Sequence, residues 1–223
     1  MFFSRKEIKN KLFIFFTIVY IALTITACKE ILNPISGKII LNHGEYGDFK
    51  YIAISYNSVG IADYIGTNTN VDIPSSIRGN SVTRIGNIAF NEKGITDVII
   101  PRSITEIGLS AFANNQLTSV TIPNSVIAIG KDSGKWNNYY GVGAFANNQL
   151  TSVIIPNSVT TIGSGAFRGN QLISVTIGDN VVFGGDYDGN TGGFGGNFRQ
   201  VYGGVGGTFT RPTPESEVWT RMP

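Results

Sequence analysis

Residues 117–149 read LTSVTIPNSVIAIG, then the 11-residue insertion KDSGKWNNYYG at 131–141, then VGAFANNQ; residues 150–171 read LTSVIIPNSVTTIGSGAFRGNQ. The second stretch repeats the first once the insertion is taken out. A cassette this short cannot bury its apolar face alone, so it must stack on copies of itself. Two rulers confirm the register. Phe90 to Phe112 and Phe145 to Phe167 are each 22 residues, and Phe112 to Phe145 is 33, one period plus the insertion. Ile100, Ile122, Ile155 and Ile177 keep the same spacings of 22, 33 and 22. Composition bias alone does not hold two landmarks in step.

Each place in the cassette has a physical reading. Val120 and Ile122 alternate with Ser119 and Thr121, a period-two pattern with β-branched residues that predicts a short strand with Leu117, Val120 and Ile122 inward. Pro123 has no amide hydrogen and ends the ladder. Val126 and Ile129 form a second apolar pair on the return path, closed by Gly130. The segment SGAFR at 164–168 is too short for a helix of its own and predicts one helical turn with Phe167 inward. Asn115, Asn148 and Asn170 each follow the cassette Phe by three residues. An inward Asn column there would satisfy backbone groups left bare at the turn.

The run IPNSVTTIGSGAF resembles the core of the BspA-like leucine-rich repeats of bacterial surface proteins. The resemblance covers roughly residues 71–177. It implies a right-handed parallel solenoid of short coils, surface display and, for some members, binding of host proteins. It carries over no catalytic residue. The expected fold is a repeat solenoid, mainly β with short helical turns, in coils of about 22 residues with β-rich caps at both ends.

The expected organisation runs as follows. Residues 1–27 are a signal peptide: Arg5, Lys6, Lys9 and Lys11 precede an apolar run that ends in small residues. That run falls short of the ~18 residues a spanning helix needs. Cys28, the only cysteine, stands where the lipobox of bacterial lipoproteins places its acylated residue, so lipidation at Cys28 would anchor the chain without spanning. Residues 28–48 are a tether, 49–66 an N-terminal β cap, 67–193 the solenoid and 194–223 a C-terminal cap. The whole chain has 17 Lys+Arg against 15 Asp+Glu. Removing Arg5, Lys6, Lys9, Lys11 and Glu7 leaves 13 against 14, which argues against nucleic acid as a partner.

Catalytic patterns are missing. His43 is the only histidine and lies in the tether, so no Ser-His-Asp set forms within the repeats. HExxH, CxxC and the P-loop do not occur. The run DYDGN at 186–190 starts like a calcium loop, but Asn197 occupies the twelfth position where a bidentate Glu is needed. The sequence therefore implies neither metal nor cofactor.

Two candidate binding surfaces remain. One is the insertion, where Trp136, Tyr139 and Tyr140 are typical anchors. The other is the strand face, expected to be concave, with outward residues Asp97, Ile99, Ser119, Thr121, Ser152, Ile154, Ser174 and Thr176. The expected role is a non-catalytic, lipid-anchored, adhesin-like interaction protein of the cell envelope or surface, binding a protein or a glycan. A self-associating structural envelope lipoprotein is the alternative, and a carboxylate-based hydrolase is the remote one.

Overall fold

The computed structural model describes residues 30–32, 39–41, 43–131, 143–184 and 193–223. It divides into two units, Met1–Gly44 and Glu45–Pro223. In the first, β1 (Glu30–Leu32) pairs antiparallel with β2 (Ile39–Leu41). The strand β3 (His43–Tyr46) spans the boundary.

The second unit continues with β4 (Phe49–Ser55), β5 (Ser58–Tyr64), β6 (Asn70–Asp72), β7 (Ser76–Ile77), β8 (Asn80–Ile85), β9 (Asp97–Ile99) and β10 (Glu106–Gly108). Then come β11 (Ala128–Lys131), β12 (Ser152–Ile154), β13 (Thr161–Ile162), β14 (Ser174–Ile177) and β15 (Val182–Phe183). The helix α1 (Phe198–Tyr202), β16 (Gly207–Thr210) and β17 (Thr220–Arg221) close the chain. Successive coils end at Phe90, Phe112, Phe145, Phe167 and Phe194.

The repeats stack as a mostly β solenoid because like side chains fall on like. The five rings form one column, with centroid spacings of 4.9, 5.2, 5.5 and 5.3 Å and interplanar angles of 9–15°. Tyr64 extends the column to the N-terminal side, 5.5 Å from Phe90. Each such pair adds about 0.5–1.5 kcal/mol beyond its burial. The expected helical turn takes the form of a tight turn closed three residues on, as in Arg168 N–H to Gly165 O at 2.9 Å. It does not lengthen into a helix because left-handed residues bracket each ring. Ile88, Ser110 and Gly165 precede Phe90, Phe112 and Phe167, and Glu92, Asn114, Asn147 and Gly169 follow Phe90, Phe112, Phe145 and Phe167, all with φ between 53° and 73°.

The Asn column stands inside. The Asn148 amide nitrogen donates to Phe112 O, Phe145 O and Ala146 O at 2.9–3.3 Å, and its oxygen accepts from Leu117 N at 3.0 Å. Asn115 does the same between Phe90 O, Phe112 O and Ile95 N. Asn170 bridges Phe145 O, Phe167 O and Leu150 N. Each side chain thus satisfies backbone groups of its own turn and of the coil before it.

The return path is more regular than its two apolar residues imply. It forms the parallel core of a nine-stranded sheet ordered β15-β13-β11-β10-β8-β5-β4-β3, with β7 beside β8. Ile61, Ile85, Ile107, Ile129 and Ile162 lie in register across it, all fully buried. The strand side is the less continuous one. It gives β6-β9 as one pair and β12-β14-β16-β17 as a four-stranded sheet. The strand expected over Val120 and Ile122 does not form. Leu117 and Ile122 are buried as expected, whereas Val120 is only half-buried. The cause is the lack of hydrogen bonds to either neighbouring coil at 118–122, although this is the coil that carries the insertion.

Both ends are covered. The antiparallel hairpin β4-β5 starts the long sheet. At the other end β16 pairs antiparallel with the edge of β14, and β17 with β16. Phe194, Phe198, Phe209 and Trp219 are buried together beneath them. The Trp219 indole donates to Phe194 O at 3.2 Å, and the Arg211 guanidinium lies 4.7 Å from the indole centroid.

The Tyr202 hydroxyl accepts from Val181 N at 2.8 Å and donates to Gly178 O at 2.9 Å. Burial, and then the nearby Asp179, push this phenol above the ordinary tyrosine range, while the Val181 hydrogen bond opposes them. The native state therefore holds the proton more tightly than the unfolded chain. Its contribution is full below about pH 10 and is lost as pH rises through the folded value.

Three outcomes are expected in denaturant unfolding. Phe145→Ala should cost about 3–5 kcal/mol. Asn148→Ala, which strands one donor and several acceptors, should cost about 1–3 kcal/mol. Tyr202→Phe should lose stability at neutral pH, and its gap to the wild type should narrow above about pH 10.

Candidate functional site: the short-strand face

The candidate residues of the strand side occupy one register. Asn70, Val71 and Asp72 pair with Asp97, Val98 and Ile99. Ser152, Val153 and Ile154 pair with Ser174, Val175 and Thr176. In each trio the middle valine is buried. Asp97, Ile99, Ser152 and Ile154 are exposed, while Ser174 and Thr176 are half-buried. Ser119 and Thr121 are exposed on extended chain between the two sheets. The two isoleucines are the notable members, 58% and 68% exposed at Ile99 and Ile154. Thr176 is tied into the cap, its hydroxyl 2.9 Å from that of Thr208. Trp136, Tyr139 and Tyr140 lie outside the described residues, as do Cys28 and the run at 186–190.

A discontinuity runs across the middle of this face. Ile73 N–H donates to Ile99 O at 3.1 Å, and Ile155 N–H to Thr176 O at 2.7 Å. The amides of Ile100 and Ile122 hold the equivalent places, yet no such bond ties them to the next coil. The chain is pinned just before this gap, by Leu117 N to Asn148 and by Gln149 N to Leu117 O. Val120 accordingly loses the burial of Val98, Val153 and Val175.

Sequence reasoning passed over a further column. Gln116, Gln149 and Gln171 share the 33 and 22 spacings and are all exposed. Their backbone N–H groups donate to Ile95 O, Leu117 O and Leu150 O, so the backbone at these three positions is in register at the entrance to each short strand. Alongside, Asn147 donates to Asn114 at 2.8 Å and Asn114 to Asn91 at 3.0 Å, an amide ladder on the turn side.

The ion pairs among the described residues lie elsewhere. Asp63 meets Lys93 at 3.1 Å and Lys50 at 3.7 Å. Arg84 meets Glu106 at 3.6 Å on the outer face of the long sheet. Among the described residues no group of three or more His, Cys, Asp or Glu could hold a metal ion. None of their helices is long and apolar enough to cross a membrane.

Residues 138–187 match the model of the BspA type Leucine rich repeat region (6 copies). The chain is similar to a leucine-rich repeat protein from Bacteroides capillosus ATCC 29799, at 28% identity and a TM-score of 0.44, over 53% of this chain and 85% of that one. It is similar to a leucine rich cell surface protein from Faecalibacterium prausnitzii A2-165, at 22% identity and a TM-score of 0.42, over 62% of this chain and 43% of that one. A leucine-rich repeat protein from Bacteroides ovatus ATCC 8483 matches at 25% identity and a TM-score of 0.40, over 61% and 42%. No curated protein matches the sequence. The described coils wind as a β-solenoid, and part of the repeat region, residues 138–187, matches the BspA type model.

Hydrogen exchange reads the discontinuity directly. The amides of Ile100 and Ile122 should exchange at least about tenfold faster than those of Ile73 and Ile155. Equal protection at all four positions would show that the ladder is continuous.

Proposed function

We propose that this chain is a non-catalytic interaction module, exported and held at the cell envelope by lipid on Cys28. The observation that carries the reading is the short-strand face itself. It presents Ile99, paired with Asp72, and Ile154, paired with Thr176, each more than half exposed, on a stacked scaffold. Large exposed aliphatics in an ordered row cost solubility and favour a partner that covers them. The basic start, the apolar run and the small residues before Cys28 support export, and acylation there supports anchoring. The BspA-type match over residues 138–187 supports a surface role. The aromatic insertion is the second contact region, since Trp and Tyr on a loop supply binding anchors.

The self-associating alternative fits less well. Open solenoid ends are what such proteins join, and here β16 and β17 occupy the free edge of β14.

Two measurements test the proposal. In cells, the full chain should partition into the detergent phase, and Cys28→Ala should release it; unchanged partition refutes the lipid anchor. The immobilised full chain should retain a ligand from host matrix or envelope preparations, and Trp136→Ala with Tyr140→Ala should weaken retention with no fall in melting temperature. A lower melting temperature with unchanged retention would make these rings packing residues.

A further inference from the structure

Residues 107–130 and 143–167 contain no Asp, Glu, Lys, Arg or His. The charged side chains of the short strands stop at Asp97, and the next charge along the chain beyond residue 167 is Arg168. The third and fourth coils therefore present an uncharged stretch in the middle of the face. Its exposed side chains are amides, hydroxyls and one aliphatic: Gln116, Ser119, Thr121, Gln149, Ser152 and Ile154. The same residue type recurs from one coil to the next at Gln116 and Gln149 and at Ser119 and Ser152.

This chemistry selects a ligand class. An amide offers both donors and an acceptor, and a hydroxyl is both at once. None of these groups supplies a counter-charge. A phosphate, a sulfate, a uronate or a charged peptide would lose hydration here and gain no partner ion. A protein partner of ordinary affinity brings aromatic or Arg anchors that need a pocket, and Ile99 and Ile154 stand proud on a face rather than lining one. A neutral sugar is the complement. Its hydroxyls both donate and accept, its C–H faces cover an exposed isoleucine, and its repeating units meet repeating rungs.

We infer that the short-strand face of the third and fourth coils binds an uncharged polysaccharide. This rests on the interaction role proposed above and specifies its partner. Gln116 and Gln149 are the principal hydrogen-bonding residues, the exposed Ser119 and Ser152 three residues further on add hydroxyls, and Ile154 supplies the apolar contact.

Native affinity electrophoresis of the full chain tests this. The gels contain laminarin, dextran or yeast mannan as neutral probes, and heparin or polygalacturonate as charged ones. At least one neutral probe should retard the chain, with little effect of added salt, and the charged probes should not. Gln149→Glu combined with Ser152→Asp adds charge to two exposed positions and should weaken retardation by about tenfold or more. Gln200→Glu, exposed on α1, should leave it unchanged. Retardation by charged probes alone, or equal retardation of the double variant, overturns the inference. A chain that retains host matrix protein but is retarded by no neutral probe overturns it too, and leaves the interaction role standing. A chain that binds neither overturns both.

Discussion

The contact on which this molecule depends is that of a side chain with its own counterpart one coil away. Phe112 touches Phe145 as Phe145 touches Phe167, at nearly the same distance and tilt. The Asn residues three places on fix the backbone in that arrangement, each bonding to two coils at once. Apolar stacking alone would let coils slide, since the hydrophobic effect is non-directional. The inward amide removes that freedom, because a slip of one residue would strand several buried backbone groups. Stability is then a sum of neighbour terms along the stack, and the ends must be covered. Tyr64 and the β4-β5 hairpin do so at one end. Trp219, Phe209 and β16 do so at the other.

Much of this was legible in the letters. Ala-Phe and Ile-Pro stay in step through the insertion because both intervals lengthen by the same 11 residues, and Phe112 still stacks on Phe145. The role of Asn148 was readable because an Asn at an inward place has only backbone to satisfy. The longer sheet was harder to see. After the six residues of β8, each coil gives it only two to four, such as Thr161–Ile162, so period-two alternation has no room to show. The gap at Ile122 has no signature at all. Val120-Thr121-Ile122 reads like Val153-Ile154-Ile155, yet one is extended chain without ladder bonds and the other begins in a strand. Which rungs bond depends on how adjacent coils sit, and that is a tertiary property. The Gln column was present in the spacing, but exposed amides carry no burial signal to draw attention to them.

The scaffold and the surface answer to different demands. Places that face inward repeat Val, Ile, Leu, Phe and Asn with little tolerance, since interiors are close-packed. Places that face outward vary: Asp97, Ser119, Ser152 and Ser174 share one column, and Asp72, Ile99, Thr121, Ile154 and Thr176 another. Function in a solenoid lives in those outward columns. Here they pass from acidic at the first two coils to neutral in the middle, where the aromatic insertion also leaves the chain. The coil with the insertion, the incomplete ladder and the uncharged surface is one and the same.

A double-mutant cycle between adjacent coils tests the central claim most directly. Phe112→Leu, Phe145→Leu and the double variant would be unfolded in denaturant, and the stability losses compared. Rings that stack on each other predict a coupling of about 0.5–1.5 kcal/mol between the two positions. Losses that simply add would place Phe112 and Phe145 in separate packing environments and contradict the stacked solenoid.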